Sequence, residues 1–247
     1  MRKLLTILMS GAILFGIMVS CDEKEIDTIL NDDSGNVQDD STKNEQVEEP
    51  EVIVSLYTDE ELAMANTAVD VDYLTEEEKK VIFLCNLARL DGERFAEEYL
   101  TPYAELNRLD VETNEYLASL YTDLSEVKDH GMLSPSKELS EAAAYHAKDS
   151  GVNGSTGHTS SDGTEWDVRL ERFLPSWSAL AENCTYGSSR KYAINVVMSL
   201  LIDEKVASLG HRKNILSDDY NYIGVSIMPH STYTYNCVQD FAYIDND

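Results

Sequence analysis

The chain has 247 residues, 43% of them hydrophobic, which allows one or two domains with an ordinary core. Its formal net charge of −27 is far from ordinary, and residues 22–61 alone hold 15 Asp or Glu against Lys24 and Lys43. No basic stripe offsets this charge, so nucleic acid is excluded as a partner.

At the N-terminus, Arg2 and Lys3 precede an apolar run from Leu4 to Val19. That run is shorter than the about 20 residues a bilayer span needs. A basic start, a short apolar stretch and a small residue at its end mark residues 1–20 as a signal peptide. Met18-Val19-Ser20-Cys21 resembles a bacterial lipobox, with methionine where leucine is usual. The resemblance implies cleavage before Cys21, lipid on its thiol, and a membrane anchor in the bacterial cell envelope. Asp22-Glu23-Lys24-Glu25 resembles acidic signals that send lipoproteins to the cell surface, although plain solubilising charge explains it equally well. Residues 21–61 are expected to be the lipidated cysteine and an acidic tether, because few large apolar side chains are present to offset ordering entropy. On that reading residues 62–247 form the folded domain, and a chain starting at Leu62 loses little stability.

Thr75-Glu76-Glu77-Glu78 is a capping box, and behind it Val81, Leu84, Cys85 and Ala88 recur at helical spacing up to a break near Gly92. A second helix is expected from Ser136 through Leu139, Ala142, Ala143 and His146, stopping at Gly151 in the left-handed conformation. A third is expected over 192–202. The period then changes, and 222–227 and 237–243 read as strands joined by a loop at 229–232. Helices first and strands late predict an α/β (α+β) domain with helices packed on a small, largely antiparallel sheet.

After Cys21, three cysteines remain. Cys85 reads as a small core residue. If a bridge exists, Cys184–Cys237 is the expected pair. Among the histidines, His130 and His230 sit in turn-like sequence and are expected at the surface, and His146 on an apolar helix face is expected in the core. His158 and His211 each follow a glycine and are the candidates for function. No His-Glu-x-x-His, Gly-x-Ser-x-Gly, Walker loop or Cys-x-x-Cys occurs, which removes most familiar enzyme classes.

The segments Asn86-Leu87-Ala88-Arg89, Gly157-His158, Asp162-Gly163, Ala181-Glu182-Asn183, Gly210-His211-Arg212-Lys213-Asn214-Ile215-Leu216, Tyr222-Ile223-Gly224-Val225 and Gln239-Asp240-Phe241 follow one another in that order. Together, over residues 75–245, they resemble the bacterial branch of the CAP superfamily (cysteine-rich secretory, antigen 5 and pathogenesis-related proteins, the SCP-like domain). The resemblance implies a three-layer α-β-α sandwich with a cleft holding two histidines and two acidic residues, here His158, Glu182, Asp203 and His211. The family has Glu at the position of Asp203 and Trp at that of Leu200, so Glu204 competes for the role. Two neutral imidazoles can bind a divalent metal such as zinc through His158 and His211, with the carboxylates fixing their tautomers. Glu182 is then a candidate general base. The reading this supports is a surface-anchored module that binds an unidentified ligand, lipid or protein partner. The alternative is a metal-dependent hydrolase of peptide or cell-wall material.

Overall fold

The computed structural model describes residues 55–245; Cys21 and most of the expected tether lie outside the described residues. Helix α1 (Asp59–Ala65) opens on a second capping box, Thr58 with Glu61. Ordered packing therefore includes residues 55–61, which the sequence reading placed in the tether. Tyr57 is buried, and its hydroxyl donates to the carbonyls of Leu87 and Asp91 at 3.1 and 3.0 Å. Arg94 grips both oxygens of Glu61 and lies over the Tyr57 ring.

Helix α2 (Glu76–Leu90) starts at the expected capping box and buries Val81, Leu84, Cys85 and Ala88. The break near Gly92 is real. Asp91 caps a short α3 (Gly92–Phe95), which continues through a π-turn (Ala96–Leu100) into α4 (Thr101–Leu106). Then come α5 (Glu115–Glu126), the two-residue β1 (Ser134–Pro135) and α6 (Lys137–Asn153), capped by Ser136 as expected. The chain goes on through α7 (Trp166–Glu171), β2 (Ala179–Tyr186), α8 (Ala193–Ile202), α9 (Gly210–Leu216), β3 (Tyr222–His230) and β4 (Thr234–Tyr243).

The strands form one sheet in the order β1-β3-β4-β2, antiparallel except for the β1–β3 pair. Helices α2 and α8 cover one face, and α6 with α7 covers the other, which is the expected three-layer sandwich. Helix α6 runs past Gly151 and ends at Gly154, whose φ of 66° is the left-handed stop. Gly151 serves a different end. A Cβ there would sit 2.3 Å from the Pro229 carbonyl oxygen, and one at Gly224 would sit 2.1 Å from the Leu139 carbonyl carbon. Both glycines let α6 lie directly on β3.

Register decides the cysteines. Cys184 pairs with Val238 and Thr185 with Cys237, so the two thiols occupy neighbouring rungs. Successive side chains on a strand point to opposite faces. Cys184 accordingly packs with Ala143 and Ala147, while Cys237 packs in the core on the α2 side. The expected Cys184–Cys237 bridge does not form, and Cys85, Cys184 and Cys237 are free and buried. Among the described residues, no helix is long and apolar enough to cross a membrane.

Candidate functional site

His158 lies on the loop between α6 and α7, and neighbouring backbone holds that loop in place. Arg169 on α7 donates to the His158 carbonyl at 2.8 Å, and His146 Nε2 donates to the Gly157 carbonyl at 2.9 Å. The Tyr186 hydroxyl receives the Gly157 amide and donates back to the Gly157 carbonyl. The His158 ring is then oriented by β2, where Glu182 Oε1 accepts from Nδ1 at 2.8 Å. The second Glu182 oxygen is taken by Arg169, whose side chain is fully buried.

His211 is built the same way from different elements. The chain leaves α8 at Asp203 in the left-handed conformation, φ 55° and ψ 40°, which a short polar side chain tolerates better than most residues. From there Asp203 Oδ1 accepts from His211 Nδ1 at 2.6 Å, and Oδ2 accepts the His211 amide at 3.0 Å. The shorter side chain suffices because the turn delivers it directly to the start of α9. Asp203, buried, is thus the carboxylate that meets His211; Glu204 is exposed, pairs with Lys205 and also lines the cleft. Helix α9 is tied down by Asn214, which donates to Asn183, and by Asn183, which donates to the His211 carbonyl and to Gln239. Buried Arg212 donates to the carbonyls of Leu201 and Ile202 at the end of α8.

His158, Asp203 and His211 line one open cleft of about 780 Å³, together with Cys184, Tyr186 and Tyr233. In each histidine Nδ1–H donates to the carboxylate, which leaves Nε2 carrying the lone pair. That donor chemistry fits a divalent metal. The proposed general base fares differently. Glu182 is buried, and each of its oxygens already accepts a hydrogen bond, one from His158 and one from Arg169. Burial pushes its carboxyl up, but the His158 hydrogen bond and the Arg169 charge outweigh that and hold it below the ordinary range. Its work is to orient His158.

Four residues near the cleft carry more than their sequence suggested. His146 is in the core as expected, but its Nδ1 is buried with no partner. His146, Glu182 and Cys184 each bring one ligand atom within 4.8 Å of the others, a buried group that could hold a metal. Asp240 faces Glu182 across the β2–β4 pair, fully buried, with both carboxylate oxygens unpartnered. Its signals were a carboxylate within the apolar strand 237–243 and its place in the Gln239-Asp240-Phe241 segment. Arg169, on a six-residue helix, gave none. His230, expected at the surface, is buried instead: Nε2 donates to the Ser155 carbonyl, and Nδ1 accepts the amides of Thr232 and Tyr233. His130 is half-buried, with Nδ1 donating to the Leu216 carbonyl. Asn86 and Arg89 are structural clamps. Asn86 bonds both backbone groups of Leu133, and Arg89 bonds the carbonyls of Gly131 and Ile215.

Desolvation, with the nearby Glu182 charge, pushes the Asp240 carboxyl well above its ordinary value of 3.8. The folded protein therefore keeps this proton at pH values where the unfolded chain has released it. Asp240's contribution to stability is complete below the ordinary carboxylate range and is lost as pH climbs toward the raised value. Asp240→Asn is expected to flatten that loss by up to about 1.4 kcal/mol per pH unit above pH ~4. Urea melts of both proteins at several pH values, in chelator, read the slope. Equal slopes would mean that Asp240 ionises as it would in water.

Residues 126–241 match the family model of CAP, the cysteine-rich secretory protein family. This stretch is similar to a CAP domain. It contains all four cleft residues and begins after the clamps Asn86 and Arg89, in a match just short of half the chain. No curated protein matches. Among solved structures, the chain is similar to an extracellular SCP-domain protein from Bacillus anthracis, at 22% identity and a TM-score of 0.39 over 47% of this chain. It spans only 35% of that protein's length. It is also similar to an outer surface protein from Borrelia burgdorferi, at 21% identity and a TM-score of 0.41, over 54% of this chain and 96% of that one.

Proposed function

We propose that this CAP-domain protein is an envelope lipoprotein that captures a ligand in its cleft through a divalent metal such as zinc held by His158 and His211. The observation that carries the reading is the paired arrangement of the imidazoles. Each donates a hydrogen bond through Nδ1–H to a buried carboxylate, Glu182 or Asp203, and keeps the Nε2 lone pair for a metal. The cleft is open, so a metal there would retain positions for a ligand. Binding is favoured over hydrolysis because the two carboxylates that hold the imidazoles are already engaged. Glu182 is occupied by His158 and Arg169, and Asp203 by the His211 ring and amide.

Zinc is expected to raise the melting temperature by mass action, since it favours the folded state. His211→Ala should remove most of that response while leaving the fold intact, and adding His158→Ala should change little more. Titration calorimetry that shows no zinc binding to the wild type would end the cleft-metal reading.

The anchor is proposed from the sequence around Cys21, which follows Ser20 at the end of the apolar run. Cys21→Ser is expected to take the mature protein out of the membrane fraction, or leave it unprocessed. Normal anchoring of a processed mutant would refute the lipid.

A further inference from the structure

Behind the cleft, between β2, β4 and α6, the protein collects polar groups that its own contacts do not satisfy. His146 donates through Nε2 to the Gly157 carbonyl, so its other nitrogen, Nδ1, bears the lone pair. That atom is buried and receives no hydrogen bond. Both oxygens of Asp240 are buried and unpartnered as well. Such groups are rare in folded proteins and ask for an explanation. Beside them stands the Cys184 thiol, two residues along β2 from Glu182 and on the same sheet face, with its sulfur 3.6 Å from Glu182 Oε1. Ligand atoms of His146, Glu182 and Cys184 already lie within 4.8 Å of one another. A tetrahedral zinc-class ion with bonds of about 2.0–2.3 Å spaces its ligands roughly 3.3–3.8 Å apart, so the group must close by about 1 Å.

Charge permits it. Among the described residues, Arg169 is the cation buried against this group, and it is committed to Glu182. Without metal, Asp240 and Cys184 keep their protons and Arg169 balances Glu182; a divalent cation that displaces both protons leaves the group neutral again. Entry is open, because Cys184 lines the cleft wall.

We propose that His146, Cys184 and Glu182, backed by Asp240, form an interior site for a zinc-class divalent metal, distinct from the His158/His211 pair. A thiolate with an imidazole selects zinc, cobalt or copper over calcium and magnesium. On binding, the thiol and the Asp240 carboxyl give up their protons to solvent, and the metal takes the place of those protons. The two sites share Glu182, which also orients His158, but they share neither histidine, so each is tested through its own.

Cobalt(II) added to the full chain reports sulfur ligation directly, and because the Cys184 sulfur also lies 3.8 Å from His158 Nδ1 at the cleft wall, the His146 and His211 variants tell the two sites apart. The wild type is expected to show a near-ultraviolet sulfur-to-cobalt charge-transfer band that saturates with a defined stoichiometry. Cys184→Ser, and Cys184→Ala as a second variant in case one fails to fold, should lose the band. His146→Ala should weaken cobalt binding tenfold or more. His211→Ala should keep the band while abolishing the cleft's share of the binding. Absence of the band in wild-type protein, or its survival in a folded Cys184 variant, overturns the proposal. Survival of the band with no binding lost in His211→Ala would instead count against the cleft site alone.

Discussion

A chain beginning at Leu62 is expected to melt well below one beginning at Ser55. The seven residues between them look expendable by composition, but Tyr57 is only 4% exposed and its ring is covered by Arg94 at 4.6 Å. Removing a buried large aromatic side chain typically costs about 3–5 kcal/mol. The shorter chain also loses the Thr58–Glu61 capping box and the two-pronged Arg94–Glu61 pair, and it exposes the backbone carbonyls of Leu87 and Asp91 that Tyr57 satisfied. For a domain of this size, such a loss lowers the melting temperature by roughly 6–20 °C. Tyr57→Ala in the full chain should reproduce most of the fall. Thermal melts of the three proteins side by side are sufficient. Equal melting temperatures would show that residues 55–61 lie on the domain without stabilising it.

Arg169→Met is the second large effect. The guanidinium is fully buried, where it neutralises Glu182, holds the His158 carbonyl and donates to Ser160 Oγ at 3.0 Å. Methionine preserves volume but leaves a buried carboxylate beside Asp240 with no cation. Breaking one side of a buried ion pair costs about 3–5 kcal/mol. The physical cause is testable by neutralising the partner. Arg169→Met combined with Glu182→Gln should recover a large part of the loss, because no uncompensated charge then remains, and the amide oxygen can still accept from His158. Denaturant unfolding of the two singles and the double isolates the coupling. If the double mutant is as unstable as the sum of the singles, charge is not the reason Arg169 is needed. The same substitution should loosen the loop that carries His158, so zinc binding in the cleft should weaken along with stability.

The sequence by itself determined the local structure wherever side chains near one another in the chain settle the matter. The Thr75–Glu78 box and the α2 face needed only neighbours a few residues apart, and so did the Ser136 start of α6 and the strand periods of β3 and β4. The ordered motifs also placed His158, Glu182 and His211 among the candidates. What lay beyond reach involved partners distant in the chain. Strand β2 does not read as a strand because Glu182 and Asn183 break its apolar pattern, and both are tolerated only because Arg169, His158, Asn214 and Gln239 satisfy them. Gly151 looked like a helix stop, yet α6 continues through it, since its real constraint is the backbone of β3 above it. The Cys184–Cys237 bridge was plausible by count, but a one-rung offset in the β2–β4 register puts the thiols on opposite faces. Asp203 prevailed over Glu204 through a left-handed turn that no composition announces. Only the tertiary structure could decide these, because burial and hydrogen-bond satisfaction are properties of what packs against a residue, not of its neighbours along the chain.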